Sequence, residues 1–182
     1  MHSDLHGSDQ YYVKKLRAYL STVSVPKYGN INSYTKGVAL FVPDWENIPD
    51  ADIPKRYVVG INGESDNVAK WCYKEAEELH KKDAELFLLT RVEYNNYFNE
   101  KTEGTLYMVL SKGSCRSCRR VITKIFQKYY KDIRVVIWYT QEAKQVAGLH
   151  GVMYGFDKAG KSKEGFAVVS EAYSVQTMAP PA

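Results

Sequence analysis

Apolar and polar positions along this chain switch between a helical period and the short runs of buried strands. In "YYVKKLRAYLSTV" (Tyr11–Val23) the apolar residues recur near helical spacing and predict a short helix. "GVALFVP" (Gly37–Pro43) predicts a buried strand closed by Pro43, and "DWENIPDADIP" after it, with two prolines and several acids, predicts a loop. "RYVVGING" (Arg56–Gly63) predicts a second strand, ended by the Asn62–Gly63 turn signal. "NVAKWCYKEAEELHKK" is helical by composition, and "DAELFLLTRVEYNNYF" opens with strong helix formers before breaking up in Asn and Tyr. "GTLYMVLSKG" (Gly104–Gly113) predicts a strand bounded by glycines. In "CRSCRRVITKIFQKYYKD" a helix is expected, with Val121, Ile122, Ile125, Phe126 and Tyr129 as its apolar stripe. "IRVVIWY" (Ile133–Tyr139) predicts another buried strand; Gly-rich chain follows, and "GFAVVSEAY" predicts a last strand. Strands alternating with helices argue for one sheet covered by helices on its faces.

The chain has 182 residues, 45% hydrophobic and 25% charged, which suits one domain (residues 1–182) able to bury its own core. No apolar run approaches the roughly 18 residues of a membrane span. The opening "MHSDLHGSDQ" (1–10) is polar and acidic, unlike a signal peptide, and is expected to be an expression scar or the cut edge of a larger polypeptide. The last residues, 176–182, are expected to form a disordered tail. A net charge of +4 decides little, but 15 Tyr and 3 Trp among the basic residues would suit stacking on unpaired bases. Most single tyrosines are nonetheless expected to serve the core.

Chemistry concentrates in "KGSCRSCRR" (Lys112–Arg120). Three cysteines with one close pair argue against a disulfide framework and for a thiolate role. Cys115 and Cys118 lie about 60° apart around a helix, so both can face one point. A helix N-terminus and the neighbouring Lys112, Arg116 and Arg119 favour the thiolate form. The pair could serve redox chemistry, a structural zinc site or a catalytic one. Upstream, Asp83 and Glu85 stand at an expected helix start, where Asp83 could simply cap the helix and Glu85 complement its dipole. On a regular helix the two would point about 200° apart, so they could share a site only at an irregular first turn.

The order acid-x-Glu opening one helix, a strand, then Cys-x-x-Cys opening the next resembles the zinc-dependent nucleobase deaminases, whose signature is His-x-Glu followed by Pro-Cys-x-x-Cys. The resemblance runs from about Gly37 to Tyr139, through "DAELFLL", "GTLYMVLSKGSCRSCRRVITKIF" and "DIRVVIWY", and is closest to the deaminase domains of bacterial polymorphic toxins. It implies an α/β chain with the three-layer α/β/α cytidine deaminase-like fold and one central mixed sheet of about five strands. It also implies Zn²⁺ held by Asp83, Cys115 and Cys118, with Glu85 as the catalytic proton carrier. Two positions depart from the pattern: Asp83 replaces His and Ser114 replaces Pro. A carboxylate is an accepted zinc ligand, but two thiolates and a carboxylate leave the site negative, which Lys82, Arg116 and Arg119 could offset.

The expected activity is hydrolytic conversion of cytosine to uracil in nucleic acid. Single-stranded DNA is favoured, with RNA or duplex DNA as alternatives, because extruding a paired base costs a few kcal/mol. Arg116, Arg120, Lys124 and Lys128 recur every four residues and would form a basic ridge leading from the metal. Trp138 and Tyr139 are expected against the target base, Asn62 near the sugar, and Ser114, Arg116 and Arg120 among the substrate contacts. The chain is expected to be monomeric, to belong to a secreted or injected effector acting in a target cell's cytoplasm, and to have a cognate immunity protein. The competing reading is a non-catalytic, nucleic-acid-binding zinc module in which Cys72 and His80 join Cys115 and Cys118 in a closed site.

Overall fold

A computed structural model describes residues 7–24, 35–61, 83–111, 121–122, 124–126, 128–140, 151–156, 158 and 168–173. In chain order the elements are α1 (Gly7–Leu20), β1 (Lys36–Pro43), α2 (Ile53–Arg56), β2 (Val58–Ile61), α3 (Ala84–Asn96), β3 (Gly104–Leu110), β4 (Ile133–Thr140), β5 (Gly151–Phe156) and β6 (Val168–Tyr173). Residues 121, 122, 124–126 and 128 are also helical and lie between β3 and β4. The strands form one mixed sheet in the order β2-β1-β3-β4-β5-β6. Among the described strands only β3 and β4 pair in parallel, which requires a crossover connection between them; the other neighbours are antiparallel. The expected helix "NVAKWCYKEAEELHKK" and the tail lie outside the described residues.

Strand alternation sorts the interior into two clusters. Ala39, Phe41, Leu106, Met108, Leu110, Ile133, Val135 and Ile137 pack with α3 and with the helical residues Val121, Ile122, Ile125 and Phe126. Val38, Leu40, Val42, Tyr107, Val109, Val136 and Trp138 pack instead with Tyr12, Val13, Leu16 and Leu20 of α1. These α1 residues follow the helical spacing of an apolar stripe.

Four details differ from the sequence reading. The first helix begins at Gly7 rather than Tyr11, so part of the polar opening belongs to the fold. Within the loop after β1, Pro54 sits in the first turn of the one-turn helix α2, where its missing N–H costs nothing, and Ile53 is buried. The Gly-rich stretch after β4 contains β5. The stripe of the helix before β4 ends in Tyr130, not Tyr129: Tyr130 is buried and Tyr129 is 40% exposed. The amides of Tyr129 and Tyr130 both donate to the Ile125 carbonyl, so the last turn widens and brings the later ring inward.

Candidate active site at the carboxyl end of the central strands

The first turn of α3 is pressed against the sheet by two glycines. Gly37 of β1 and Gly60 of β2 are register partners. A Cβ on Gly60 would stand 2.8 Å from the Ala84 carbonyl oxygen and 2.9 Å from Leu88 Cγ. One on Gly37 would stand 2.7 Å from side-chain carbons of Leu88 and Leu110. Such approach is open only to glycine. Arg91, one turn further along α3, donates to the Val59 carbonyl of β2.

This contact fixes where Asp83 and Glu85 lie. Gly37 pairs with Leu110 and Leu110 with Tyr139, so the start of α3 lies at the end of the sheet where β3 and β4 finish. Ligands of open α/β sheets collect at that end. There Ser111 is pinned to β1: its amide donates to the Lys36 carbonyl over 2.9 Å, and its Oγ accepts from the Lys36 amide over 3.0 Å. Burial pushes the Lys36 ammonium below its ordinary value while it donates to the Val23 carbonyl over 3.0 Å.

Asp83 holds the N-cap position with extended backbone (φ −72°, ψ 148°), and its carbonyl accepts from the amides of Leu86 and Phe87. Its side chain makes no capping hydrogen bond to the helix. It therefore stands outside the helical turn, so the 200° separation of a regular helix does not apply to it. Glu85 is buried, only 4% exposed. A carboxylate that merely complemented the helix dipole would stay in solvent, because withdrawing it from water is costly unless something interior engages it.

Cys115, Cys118, Ser114, Arg116, Arg120 and Asn62 lie outside the described residues, as do Cys72 and His80. Their neighbours are placed: the chain leaves the sheet at Ser111 and is next described at Val121, buried in the same cluster as α3. Among the described residues no group of three His, Cys, Asp or Glu could hold a metal, and the expected set needs both cysteines. Lys124 and Lys128 are exposed on the face away from the stripe.

The two aromatics at the end of β4 separate. Tyr139 is partly buried against the α3-side cluster. Trp138 is fully buried on the opposite face, beneath the Arg17 guanidinium at 4.3 Å from the ring centroid. Strand alternation puts adjacent residues on opposite faces, so Trp138 is a core residue and not a contact for a base beside Glu85.

A buried polar group that the sequence reading missed lies at the other end of the sheet. Asp9 of α1 takes two hydrogen bonds from Arg134 of β4 and a third from the Tyr107 hydroxyl of β3, at 2.6 Å. Burial, then the charge of Asp9, raises the Tyr107 phenol well above its ordinary value. The only trace in the sequence is an arginine inside the apolar run "IRVVIWY".

Compared with known proteins, the chain matches no family model, no curated protein and no solved structure. Among the described residues no helix is long and apolar enough to cross a membrane.

Proposed function

We propose that this chain is a zinc-dependent deaminase with the three-layer cytidine deaminase-like fold, converting cytosine to uracil in nucleic acid and favouring single-stranded DNA. The observation that carries the reading is the burial of Glu85 in the first turn of α3, at the carboxyl end of β3 and β4. What supports zinc is the chemistry of the expected ligands. One carboxylate with two thiolates is a donor set that zinc accepts. Asp83, Cys115 and Cys118 would hold the ion.

Zinc bound there would supply Lewis acidity that makes water a nucleophile near neutral pH. Glu85 would take the water proton and deliver it to N3 of cytosine as oxygen adds to C4. It would then carry the second proton to the 4-amino group as the C4–N4 bond breaks, giving uracil and ammonia. Withdrawal from bulk water keeps Glu85 aimed inward through both transfers. Tyr139, on the α3 face, would border the base, and Asn62, Ser114, Arg116 and Arg120 would contact the rest of the substrate.

The proposal extends to context: a monomeric effector domain, secreted or injected, acting in the cytoplasm of a target cell and restrained by a cognate immunity protein. The decisive experiment incubates the zinc-loaded protein with single-stranded DNA, RNA, duplex DNA and free nucleosides, and sequences or chromatographs the products. Cytosine-to-uracil conversion, greatest on single-stranded DNA, is expected. No conversion of any of them would end the enzyme reading.

A further inference from the structure

We infer that the protein carries a second contact for unpaired polynucleotide, remote from Glu85, in the groove between the end of α3 and the start of β4. A cavity of about 920 Å³ there is lined by Phe98, Asn99, Glu100, Lys101, Lys128, Tyr129, Tyr130 and Lys131. It lies at the amino end of β3 and β4, the end opposite the candidate active site, because residues 98–101 precede β3 and 128–131 precede β4. Three lysines against one glutamate make the lining electropositive, and Lys101, Lys128 and Lys131 are all exposed. Phe98 and Tyr130 form its floor, with ring centroids 5.3 Å apart. Tyr129 stands 40% exposed at the wall, with the Lys128 ammonium 5.2 Å from its ring centroid.

A second observation sets this corner apart. The Phe98 amide donates to the Glu93 carbonyl and the Tyr97 amide to Tyr94, the two bonds of a Schellman cap. Its left-handed position is usually glycine, but here Tyr97 takes it at φ 52° and ψ 49°. The cap hydrogen bonds hold that conformation, and the Tyr97 ring is left 84% exposed. Tyr94, in the preceding turn, is 80% exposed. An exposed aromatic face beside a lysine, as at Tyr129 and Lys128, is what a single strand requires, since bases stack on rings while phosphates meet cations. Lys124 and Lys128 are on the exposed face of the helix that runs toward the groove, so a strand engaged here could continue along it.

This contact does not depend on the deaminase reading and is tested by binding alone. The 182-residue Glu85→Ala chain is titrated with fluorescent oligothymidylate and oligouridylate over a range of salt, reading anisotropy. The double variant Lys101→Gln with Lys131→Gln should flatten the slope of log affinity against log salt by about 1.4, since each single-strand phosphate contact contributes about 0.7. Tyr129→Ala and Tyr97→Ala should each weaken binding about 5- to 150-fold, while Phe at either position retains it. Similar losses for both oligomers mean that base and phosphate are read; a loss confined to one assigns the groove to DNA or to RNA. Unchanged slope and affinity in all variants would overturn the inference. So would polyglutamate competing as well as the oligonucleotides, or duplex DNA binding equally well and independently of the tyrosines. Absence of cytosine conversion by the wild type would leave this result standing, and loss of groove binding would leave the deamination test standing.

Discussion

Asp9 and Arg134, 125 residues apart, meet as a two-pronged ion pair inside the fold, with Nη1–Oδ1 at 2.9 Å and Nη2–Oδ2 at 2.7 Å. Both side chains are almost entirely removed from solvent. The pair joins α1 to β4, and the Tyr107 hydroxyl brings β3 into the same network. It is a structural clamp at the end of the sheet away from Glu85.

Removing one partner should be far worse than removing both. Asp9→Ala leaves a buried guanidinium uncompensated and should cost about 3–5 kcal/mol, whereas Asp9→Leu with Arg134→Met should recover much of the loss. Urea denaturation of the three proteins decides between a clamp and a dispensable contact. Equal stability of Asp9→Ala and wild type would rule out the clamp.

Tyr107 should shape the alkaline limb of stability. Its proton is held more tightly in the folded than in the unfolded chain, first by burial and then by Asp9. The contribution is fully present below about pH 10, where an unfolded tyrosine ionises, and is lost as pH rises further, because the unfolded chain sheds a proton that the native state keeps. Tyr107→Phe should lose about 1.5–3 kcal/mol at neutral pH with the hydrogen bond to Asp9, and should decline less steeply above about pH 10. Denaturation curves taken on both sides of that pH measure both effects; parallel alkaline slopes would count against the assignment.

Gly60→Ala tests whether the close approach of α3 to β2 positions the candidate site. The added methyl meets the Ala84 carbonyl, which is backbone and cannot swing aside. The expected cost is about 1–3 kcal/mol. Because Ala84 lies between Asp83 and Glu85, cytosine conversion should fall further than the loss of folded protein accounts for. Full specific activity in the folded fraction would show that the approach serves packing alone.

Zinc should be present at about one per chain and should be lost on Asp83→Ala, Cys115→Ala or Cys118→Ala. Metal analysis of the purified variants reads this directly. Retention in Asp83→Ala together with loss in His80→Ala would assign the cysteines to a closed structural site instead.

Glu85→Ala should keep zinc and fold but lose conversion by at least about 10²–10⁴-fold, since in the proposed reaction one carboxylate would serve both proton transfers. A residue that only favoured a helix dipole would contribute about 0.3–1 kcal/mol to stability and nothing to turnover. Equal turnover by the variant and wild type would remove Glu85 from the chemistry.

Periodicity along the chain was enough to locate α1, α3 and the strands β1 to β4, because buried strands and amphipathic helices write their period directly into residue order. It also marked Asp83 and Glu85 as a helix start. β5 was not legible: its glycines weaken the strand signal, and pairing with β4 supplies what local propensity does not. Tertiary structure alone decided the faces. It sent Trp138 under Arg17 and Tyr139 toward α3, since adjacent strand residues diverge and sequence does not say which side a helix covers. It drew Asp9 out of an acidic opening into the interior, because its partners Tyr107 and Arg134 are distant in sequence and adjacent only once β3 and β4 pair. It also withdrew Glu85 from water, through a glycine in β2 that lets the helix carrying it lie against the sheet.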